Sequence, residues 1–114
     1  MSLKIFCDIA DYQIIKKFNK LKIVKGFTTN PSLMRASGAK NYKQYSLKIL
    51  KICKTKPISF EVFADDIEGM IQQAHKIKSW GKNVYVKIPV VNSKGKFTGR
   101  AIKELSSKNV KLNI

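Results

Sequence analysis

The chain has 114 residues, of which 44% are hydrophobic, so it suffices for one globular domain and is not a disordered or low-complexity protein. Lysine and arginine number 23 against 7 acidic residues, which gives a formal net charge of +16. The basic residues are scattered over every predicted helix without a clustered stripe. This pattern disfavours a nucleic-acid binder and favours a solvated lysine-rich surface.

No apolar run approaches the roughly 20 residues of a membrane-spanning helix, and the first residues lead directly into a strand without a signal-peptide pattern. The two cysteines, Cys7 and Cys53, are far apart and match no metal-ligand spacing. We therefore expect a cytoplasmic protein with no membrane partner, no metal site and two buried free thiols.

Strands and helices alternate along the first part of the chain. The first strand is predicted over residues 4–9, where Phe6 and Asp8 share one face because side chains alternate along extended backbone. Asp11 is predicted to cap a helix that runs to about residue 20. The apolar stripe predicted for that helix consists of Ile14, Ile15, Phe18 and Leu21.

The second strand is predicted over residues 23–27, and the face at its end is small and polar. Pro31 fits the first turn of a short helix that follows this strand. A longer helix is predicted over about residues 41–54. The residues that share the small polar face are Gly26, Thr28 and Asn30.

The third strand is predicted over residues 58–63, with Glu61 on the face opposite to the aliphatic residues. Asp65 and Glu68 have the spacing of a capping box, which predicts that a helix begins here. That helix is expected to run over residues 66–80.

The fourth strand carries Lys87 within residues 83–91, where β-branched and aromatic residues alternate. A polar loop over residues 92–97 follows it. Thr98 is predicted to cap the next helix, and residues 110–114 are predicted to start a fifth strand.

Lys87 lies near the carboxyl end of an otherwise aliphatic strand, and two interpretations of it compete. On an edge strand its amine would lie in water, since lysine is almost never fully buried without a partner. On a buried strand, loss of water favours the neutral amine, which can attack a carbonyl to form a Schiff base. The other strands decide between these interpretations.

The alternation of strands and helices predicts an α/β fold built on a parallel sheet. A doubly wound sheet of the Rossmann type should show a glycine-rich turn after its first strand, and residues 8–11 contain no glycine. A parallel (β/α)8 barrel of the TIM type instead places polar functional residues at the carboxyl ends of its strands. The pattern favours the barrel. The polar residues at the successive strand ends are Asp8, Asn30, Glu61 and Lys87.

Several segments resemble motifs of the transaldolase family. Residues 26–34, GFTTNPSLM, resemble the signature after the second barrel strand, and residues 84–90, VYVKIPV, resemble the strand that bears the Schiff-base lysine. Residues 5–8, 59–62 and 112–114 are similar to the segments of the first, third and fifth strands. The likeness extends over essentially the whole chain in order. The short spacers resemble the compact branch, which also contains fructose-6-phosphate aldolases.

The resemblance implies a role for each matching residue. Lys87 would form the Schiff base with a ketose phosphate, Glu61 would hold the exchanged water, and Asp8 would move the proton where the carbon–carbon bond breaks. Because the protonated imine accepts the electrons, the resemblance implies no metal and no cofactor. The residues that would bind substrate hydroxyls are Asn30, Asn113 and Thr28.

A (β/α)8 barrel typically takes about 250 residues. The expected domain, residues 1–114, is therefore the N-terminal half of such a barrel, with four strand–helix units and the start of a fifth strand. The serine and arginine by which the family holds the sugar phosphate belong to the second half. We expect sugar-phosphate substrates, and either self-association or a complementing second half as partner.

Three functions are consistent with these residues. A transaldolase would transfer a dihydroxyacetone unit between fructose 6-phosphate and sedoheptulose 7-phosphate in the pentose phosphate pathway. Glu61 favours this function, because the fructose-6-phosphate aldolases that resemble it tend to carry an amide there. The alternatives are an aldolase-like lyase and an inactive half-barrel that acts as an assembly partner.

Overall fold

A computed structural model describes residues 5–114, within which five strands and five helices form. The strands are β1 (Ile5–Asp8), β2 (Val24–Thr28), β3 (Ile58–Glu61), β4 (Val84–Lys87) and β5 (Leu112–Asn113). The helices are α1 (Tyr12–Phe18), α2 (Pro31–Ala36), α3 (Tyr42–Ile52), α4 (Ile67–Lys78) and α5 (Gly99–Ser107). Lys4, with which the predicted first strand begins, lies outside the described residues.

The strands form one parallel sheet in the order β1-β2-β3-β4-β5, each paired with the next along the chain. A doubly wound sheet reverses direction at a switch point, whereas the strands of a (β/α)8 barrel follow one another in sequence. Because crossovers between parallel strands are right-handed, a sheet that always advances the same way keeps its helices on one side. The strand order therefore confirms the prediction of a half-barrel.

The core lies between the helices and the outer face of the sheet. Burying each large aliphatic or aromatic side chain there contributes about 1.5–3 kcal/mol. The fully buried residues of the strands are Phe27, Ile58, Phe60 and Val86, and Ile88, directly after β4, is also fully buried. The helices contribute the buried residues Ile15, Met34, Ile49, Met70 and Leu105. These strand faces agree with the alternation predicted from the sequence.

The opposite face of the sheet, which we call the inner face, is concave, and none of the helices α1 to α5 covers it. Asn113 of β5 donates from Nδ2 to Ser59 Oγ of β3 at 3.0 Å, although β4 lies between their strands. Strands two apart in a flat sheet are about 10 Å from each other. The contact therefore requires the sheet to curve toward its inner face, as a barrel wall does.

Of the predicted helix caps, the one at Asp11 is confirmed, and those at Asp65 and Thr98 are not. Asp11 Oδ1 accepts from the Ile14 amide at 3.1 Å, as predicted, and Asn41 caps α3 in the same way. The predicted capping box at Asp65 is wrong, because Asp66 caps α4 by accepting from the Gly69 amide at 2.8 Å. The Asp65 carboxylate is instead bonded to Ser93.

Two further predictions need correction because tertiary contacts compete with local ones. Thr98 precedes α5, but its hydroxyl donates to the carbonyls of Pro89 and Val90 and makes no side-chain cap. Strand β3 ends at Glu61 instead of Phe63, because Gln73 Oε1 accepts from the amides of residues 63 and 64 at 2.7 and 2.9 Å.

The apolar stripe predicted for the first helix is only partly buried. Ile15 is fully buried, but Ile14 is 38% exposed. Successive residues are rotated by about 100° around a helix axis, so Ile14 points away from the face that Ile15 buries. Leu21, which is 45% exposed, lies beyond the end of α1 at Phe18.

Both cysteines are free, but only Cys53 is buried, so the prediction of two buried thiols is wrong for the half-buried Cys7. Burial raises the pKa of Cys53 to about 11, and the nearby Lys56 charge opposes part of the rise. Within residues 5–114, no helix has both the length and the hydrophobicity needed to cross a membrane.

Candidate active site

Five of the six predicted site residues lie on the inner face at the carboxyl ends of the strands. Parallel pairing places Asp8 beside Thr28, Glu61 beside Lys87, and Lys87 beside Asn113. These residues therefore share one face and one edge of the sheet, which we call the rim. Asn30, the sixth, follows the rim end of β2.

Asp8 and Glu61 are offset by two residues in the pairing register. Asp8 pairs with Thr28, and Thr28 pairs with Ser59, which is two residues before Glu61. Barrel strands tilt by about 36°, so a step to the next strand also moves about 3 Å along the barrel axis. The two steps from β1 to β3 come to about 6 Å, which is close to the rise of two strand residues along the barrel axis. At that tilt Asp8 and Glu61 stand at about the same height.

The Asp8 carboxylate is held by its neighbour in the sheet. Thr28 Oγ1 donates to Asp8 Oδ1 at 2.9 Å, and both residues lie on the inner face. This bond directs one carboxylate oxygen toward β2, and the other oxygen accepts no hydrogen bond within residues 5–114. Asp8 is otherwise exposed at the rim.

Glu61 stands in a partly dry position at the end of β3. Its backbone carbonyl accepts from the Tyr42 hydroxyl at 2.9 Å, and the Tyr42 ring packs edge-on against Phe63 with centroids 4.4 Å apart. Loss of water raises the pKa of the Glu61 carboxyl, whereas the positive charge of Lys87 lowers it. Burial also raises the pKa of Tyr42, so its phenol stays protonated and donates.

Lys87 is not on an edge strand, so the alternative of a fully solvated lysine is wrong. Strand β4 is paired on both sides, and Lys87 is half-buried between its neighbours Glu61 and Asn113. Val86 and Ile88, on the opposite face, are fully buried in the core. Among residues 5–114, Lys87 takes part in no ion pair, so its amine is not tied to a carboxylate.

Asn113 and Asn30 each use one atom of the side-chain amide in a hydrogen bond. Asn113 uses Nδ2 to reach Ser59, and its Oδ1 accepts no hydrogen bond within residues 5–114. Asn30 caps α2 through Oδ1, which accepts from the Leu33 amide at 2.8 Å, so its Nδ2 is not used by the cap. Sequence reasoning assigned no role to Ser59, although its parity with Glu61 placed it on this face.

A hollow of about 430 Å³ lies on the inner face directly below the rim. Part of its lining stands one layer beneath the predicted catalytic residues, with Phe6 below Asp8 and Tyr85 below Lys87, and the rim residues Thr28 and Asn113 complete it. A groove of about 470 Å³ lies on the outer side between α3 and α4 and contains none of the predicted site residues. The chemistry is therefore concentrated on the inner face.

No group of three His, Cys, Asp or Glu side chains in the described part of the chain is arranged to hold a metal ion. The arrangement at the rim is an amine flanked by a carboxylate and an amide, with a second carboxylate on β1, three strands from the amine. An amine beside acids is suited to Schiff-base and acid–base chemistry.

Comparison with known proteins identifies the family. The profile described as Transaldolase/Fructose-6-phosphate aldolase matches residues 5–114. Proteins named "Probable transaldolase" are 39% identical to the chain in Methanococcus maripaludis, 38% in Nitrosopumilus maritimus and 40% in Thermoplasma volcanium. These matches cover 97 or 98% of this chain but only 48 or 49% of each relative.

The chain thus spans about half the length of the curated relatives it matches. The match agrees with the resemblance of residues 26–34 and 84–90 to transaldolase motifs. The chain belongs to the transaldolase/fructose-6-phosphate aldolase family.

Proposed function

We propose that this chain supplies the Schiff-base half of a transaldolase, which transfers a dihydroxyacetone unit between sugar phosphates. The observation that carries the proposal is the pairing of Glu61 with Lys87 at the carboxyl ends of adjacent inner strands. The names of the relatives and the matching family profile support the same chemistry. A carboxylate beside a half-buried amine supplies the acid–base help that imine formation needs.

The reaction begins when the Lys87 amine attacks the ketone carbon of a ketose phosphate. The Glu61 carboxyl protonates the hydroxyl of the resulting carbinolamine, which leaves as water that the Glu61 carboxylate then holds, and a protonated imine remains. Asp8 then takes the proton of the hydroxyl on the next carbon but one, and the carbon–carbon bond breaks to release an aldose phosphate. The electron pair of that bond passes into the imine.

The reverse steps complete the transfer. The carbanion on the enzyme-bound three-carbon unit attacks an acceptor aldehyde, and Asp8 returns its proton to the new hydroxyl. Water held by Glu61 hydrolyses the imine and frees Lys87. Asn30, Asn113 and Thr28 orient the substrate by hydrogen bonds to its hydroxyls, and the sequence of steps needs no metal.

The substrates we propose are fructose 6-phosphate and sedoheptulose 7-phosphate, which places the enzyme in the pentose phosphate pathway and in the cytoplasm. The excess of positive charge attracts such anions. We further propose that a second (β/α)4 unit completes the site by covering the inner face, where Phe6 is 51% exposed. That unit can belong to the same polypeptide or to a separate chain.

Borohydride trapping tests the role of Lys87. The chain is mixed with the second half of the Methanococcus maripaludis relative, incubated with fructose 6-phosphate and borohydride, and mapped by mass spectrometry. We expect a reduced adduct on Lys87 and none in Lys87→Arg, because guanidinium stays charged and cannot act as the nucleophile. Lys111→Arg is the matched control, since Lys111 Nζ donates to the Lys82 carbonyl at 3.3 Å, before the start of β4, and lies 5.6 Å from the centroid of the Tyr85 ring.

An adduct on another lysine would show that Lys87 is not the nucleophile. A folded complex of the two halves that forms no adduct would contradict the proposed function. If the chain traps substrate by itself, the second half is not required for imine formation.

An aldolase-like lyase is the second candidate, because the matching profile includes fructose-6-phosphate aldolases. The two activities differ in the fate of the three-carbon unit. With fructose 6-phosphate and erythrose 4-phosphate together, a transaldolase forms sedoheptulose 7-phosphate, whereas an aldolase releases free dihydroxyacetone. Glu61 favours the transfer, because the resembling aldolases tend to carry an amide at this position.

A further inference from the structure

A small hairpin over residues 91–97, which we call the rim hairpin, follows strand β4 closely after Lys87. It is closed by an antiparallel bridge between Val91 and Phe97 and by the Asn92 amide, which donates to the Lys96 carbonyl at 2.9 Å. Asn92 Oδ1 also accepts from the amides of residues 94 and 96 at 3.0 and 2.9 Å. The hairpin is therefore held in shape by its own bonds.

Asp65 fastens the rim hairpin to the segment that follows Glu61. The Ser93 amide donates to Asp65 Oδ1 at 2.8 Å, and the Ser93 hydroxyl donates to Oδ2 at 2.6 Å. Asn92 Nδ2 donates to the Asp65 backbone carbonyl at 3.0 Å. Hydrogen bonds to an ionised carboxylate are about twice as strong as neutral ones. The bonds from Ser93 hold the pKa of Asp65 below its usual range.

Both segments joined by Asp65 are also fixed at their strand ends. Gln73 Oε1 accepts from the Phe63 and Ala64 amides, which holds the backbone between Glu61 and Asp65. On the other side, Thr98 Oγ1 donates to the carbonyls of Pro89 and Val90, at 2.8 Å for the latter. Asp65 thus closes a continuous set of contacts that links the chain after Glu61 to the chain after Lys87.

We propose that Asp65 is a positioning residue for the Schiff-base reaction: through Ser93 and Asn92 it holds the rim hairpin and so fixes the carboxyl end of β4. The inference rests on the proposed function. The direction of the Lys87 side chain depends on the backbone at the end of its strand, and a displacement of about 1 Å at a reacting group can lower a rate about a hundredfold.

The test compares Asp65→Ala and Ser93→Ala with the unchanged chain, each completed by the second half of the relative. We expect the rate of borohydride trapping on Lys87 and the kcat each to fall about tenfold, with KM changed less than about twofold. KM is spared because Asn30, Asn113 and Thr28 keep their places. The double variant should be no slower than either single variant, since both break one interaction.

Three controls separate positioning from a general loss of structure. Ser93→Thr keeps the hydroxyl and should restore the rate. Glu68→Gln removes a carboxylate three residues from Asp65 and should leave the rate unchanged, since its partner is Arg100 on α5. Hydrogen exchange of the amides in residues 92–97 should speed up in Asp65→Ala and Ser93→Ala, which reports the loss of the contact without reference to catalysis.

Wild-type trapping rates in Ser93→Ala, with faster exchange in the hairpin, would overturn the positioning role and leave the proposed function standing. Unchanged exchange would also overturn it, because the contact would then not hold the hairpin. If the completed wild-type protein forms no adduct on Lys87, the proposed function fails, and the positioning role fails with it. Because Ser93 is exposed, Ser93→Ala decides the question even if Asp65→Ala fails to fold.

Discussion

At the scale of single residues, the surroundings of Glu61 determine the pKa of its carboxyl. Partial burial raises the pKa of its carboxyl, and the neighbouring charge of Lys87 opposes that rise. A carboxyl with a raised pKa binds its proton more tightly in the folded protein than in the unfolded one, so ionisation at neutral pH lowers stability. Such a cost is typical of groups placed for function and not for folding.

We expect Glu61→Gln to raise the thermal unfolding temperature at pH 7 and to leave it unchanged at pH 3. Glutamine resembles the neutral acid and avoids the cost of a partly dry charge, which develops as pH rises from the unfolded value near 4.5 through the higher folded value. The gain should stay below about 1 kcal/mol, since water still reaches the group. Thermal unfolding followed by circular dichroism at both pH values measures it. An equal gain at both would mean that ionisation is not the cause.

At the scale of elements, the contact between β1 and β2 depends on a residue without a side chain. Gly26 lies on the inner face opposite Phe6, whose ring covers it. A Cβ atom at this position would come within 2.6 Å of the Phe6 ring and of the Pro57 backbone carbonyl on the β3 side. The ring can move, but the carbonyl belongs to the neighbouring chain segment, so close approach of strands requires glycine here.

Gly26→Ala should destabilise the chain by about 1–3 kcal/mol, the usual effect of forcing extra volume into a packed site. The measurement is urea unfolding. Gly38→Ala is not a fair comparison, because Gly38 has a positive φ of 91°. Gly81→Ala is the better control, since its Cβ would come no closer than 3.2 Å to any neighbouring atom, against 2.6 Å at Gly26. Equal effects at positions 26 and 81 would contradict the proposed crowding.

At the scale of the whole molecule, an exposed apolar face is combined with a high charge. The inner face carries Phe6, 51% exposed, and β1 and β5 form the two edges of the sheet. Apolar faces and unpaired strand edges favour association. The net charge of +16 opposes it, because copies of the chain repel one another.

We expect the chain alone to associate more at 0.5 M than at 0.05 M salt, because salt screens the repulsion and leaves the apolar attraction. Phe6→Ser should weaken this association, whereas Phe97→Ser, at a residue 67% exposed on the rim hairpin, should not. Adding the second half of a relative should suppress it by covering the inner face. Sedimentation velocity measures each case, and equal effects of the two phenylalanine variants would show that association does not use the inner face.

Much of the fold and of the rim was predictable because its causes are local. Alternating side chains along a strand assign Glu61 and Lys87 to one face, and short polar residues such as Asp11 accept from the amide three residues on. The strand–helix alternation predicted the parallel sheet. Where a tertiary contact competes for the same group, as at Asp65 and Thr98, the local rule fails.

The sequence by itself determined which side chains face inward at the strand ends and which family they resemble, because both depend on residue type and spacing along one segment. Only the tertiary structure decided the order of the strands, the curvature that lets Asn113 reach Ser59 across β4, and the bond from Ser93 to Asp65. Each of these joins segments far apart in the chain, and their mutual distance is set by the packing of the whole sheet, which no local pattern encodes.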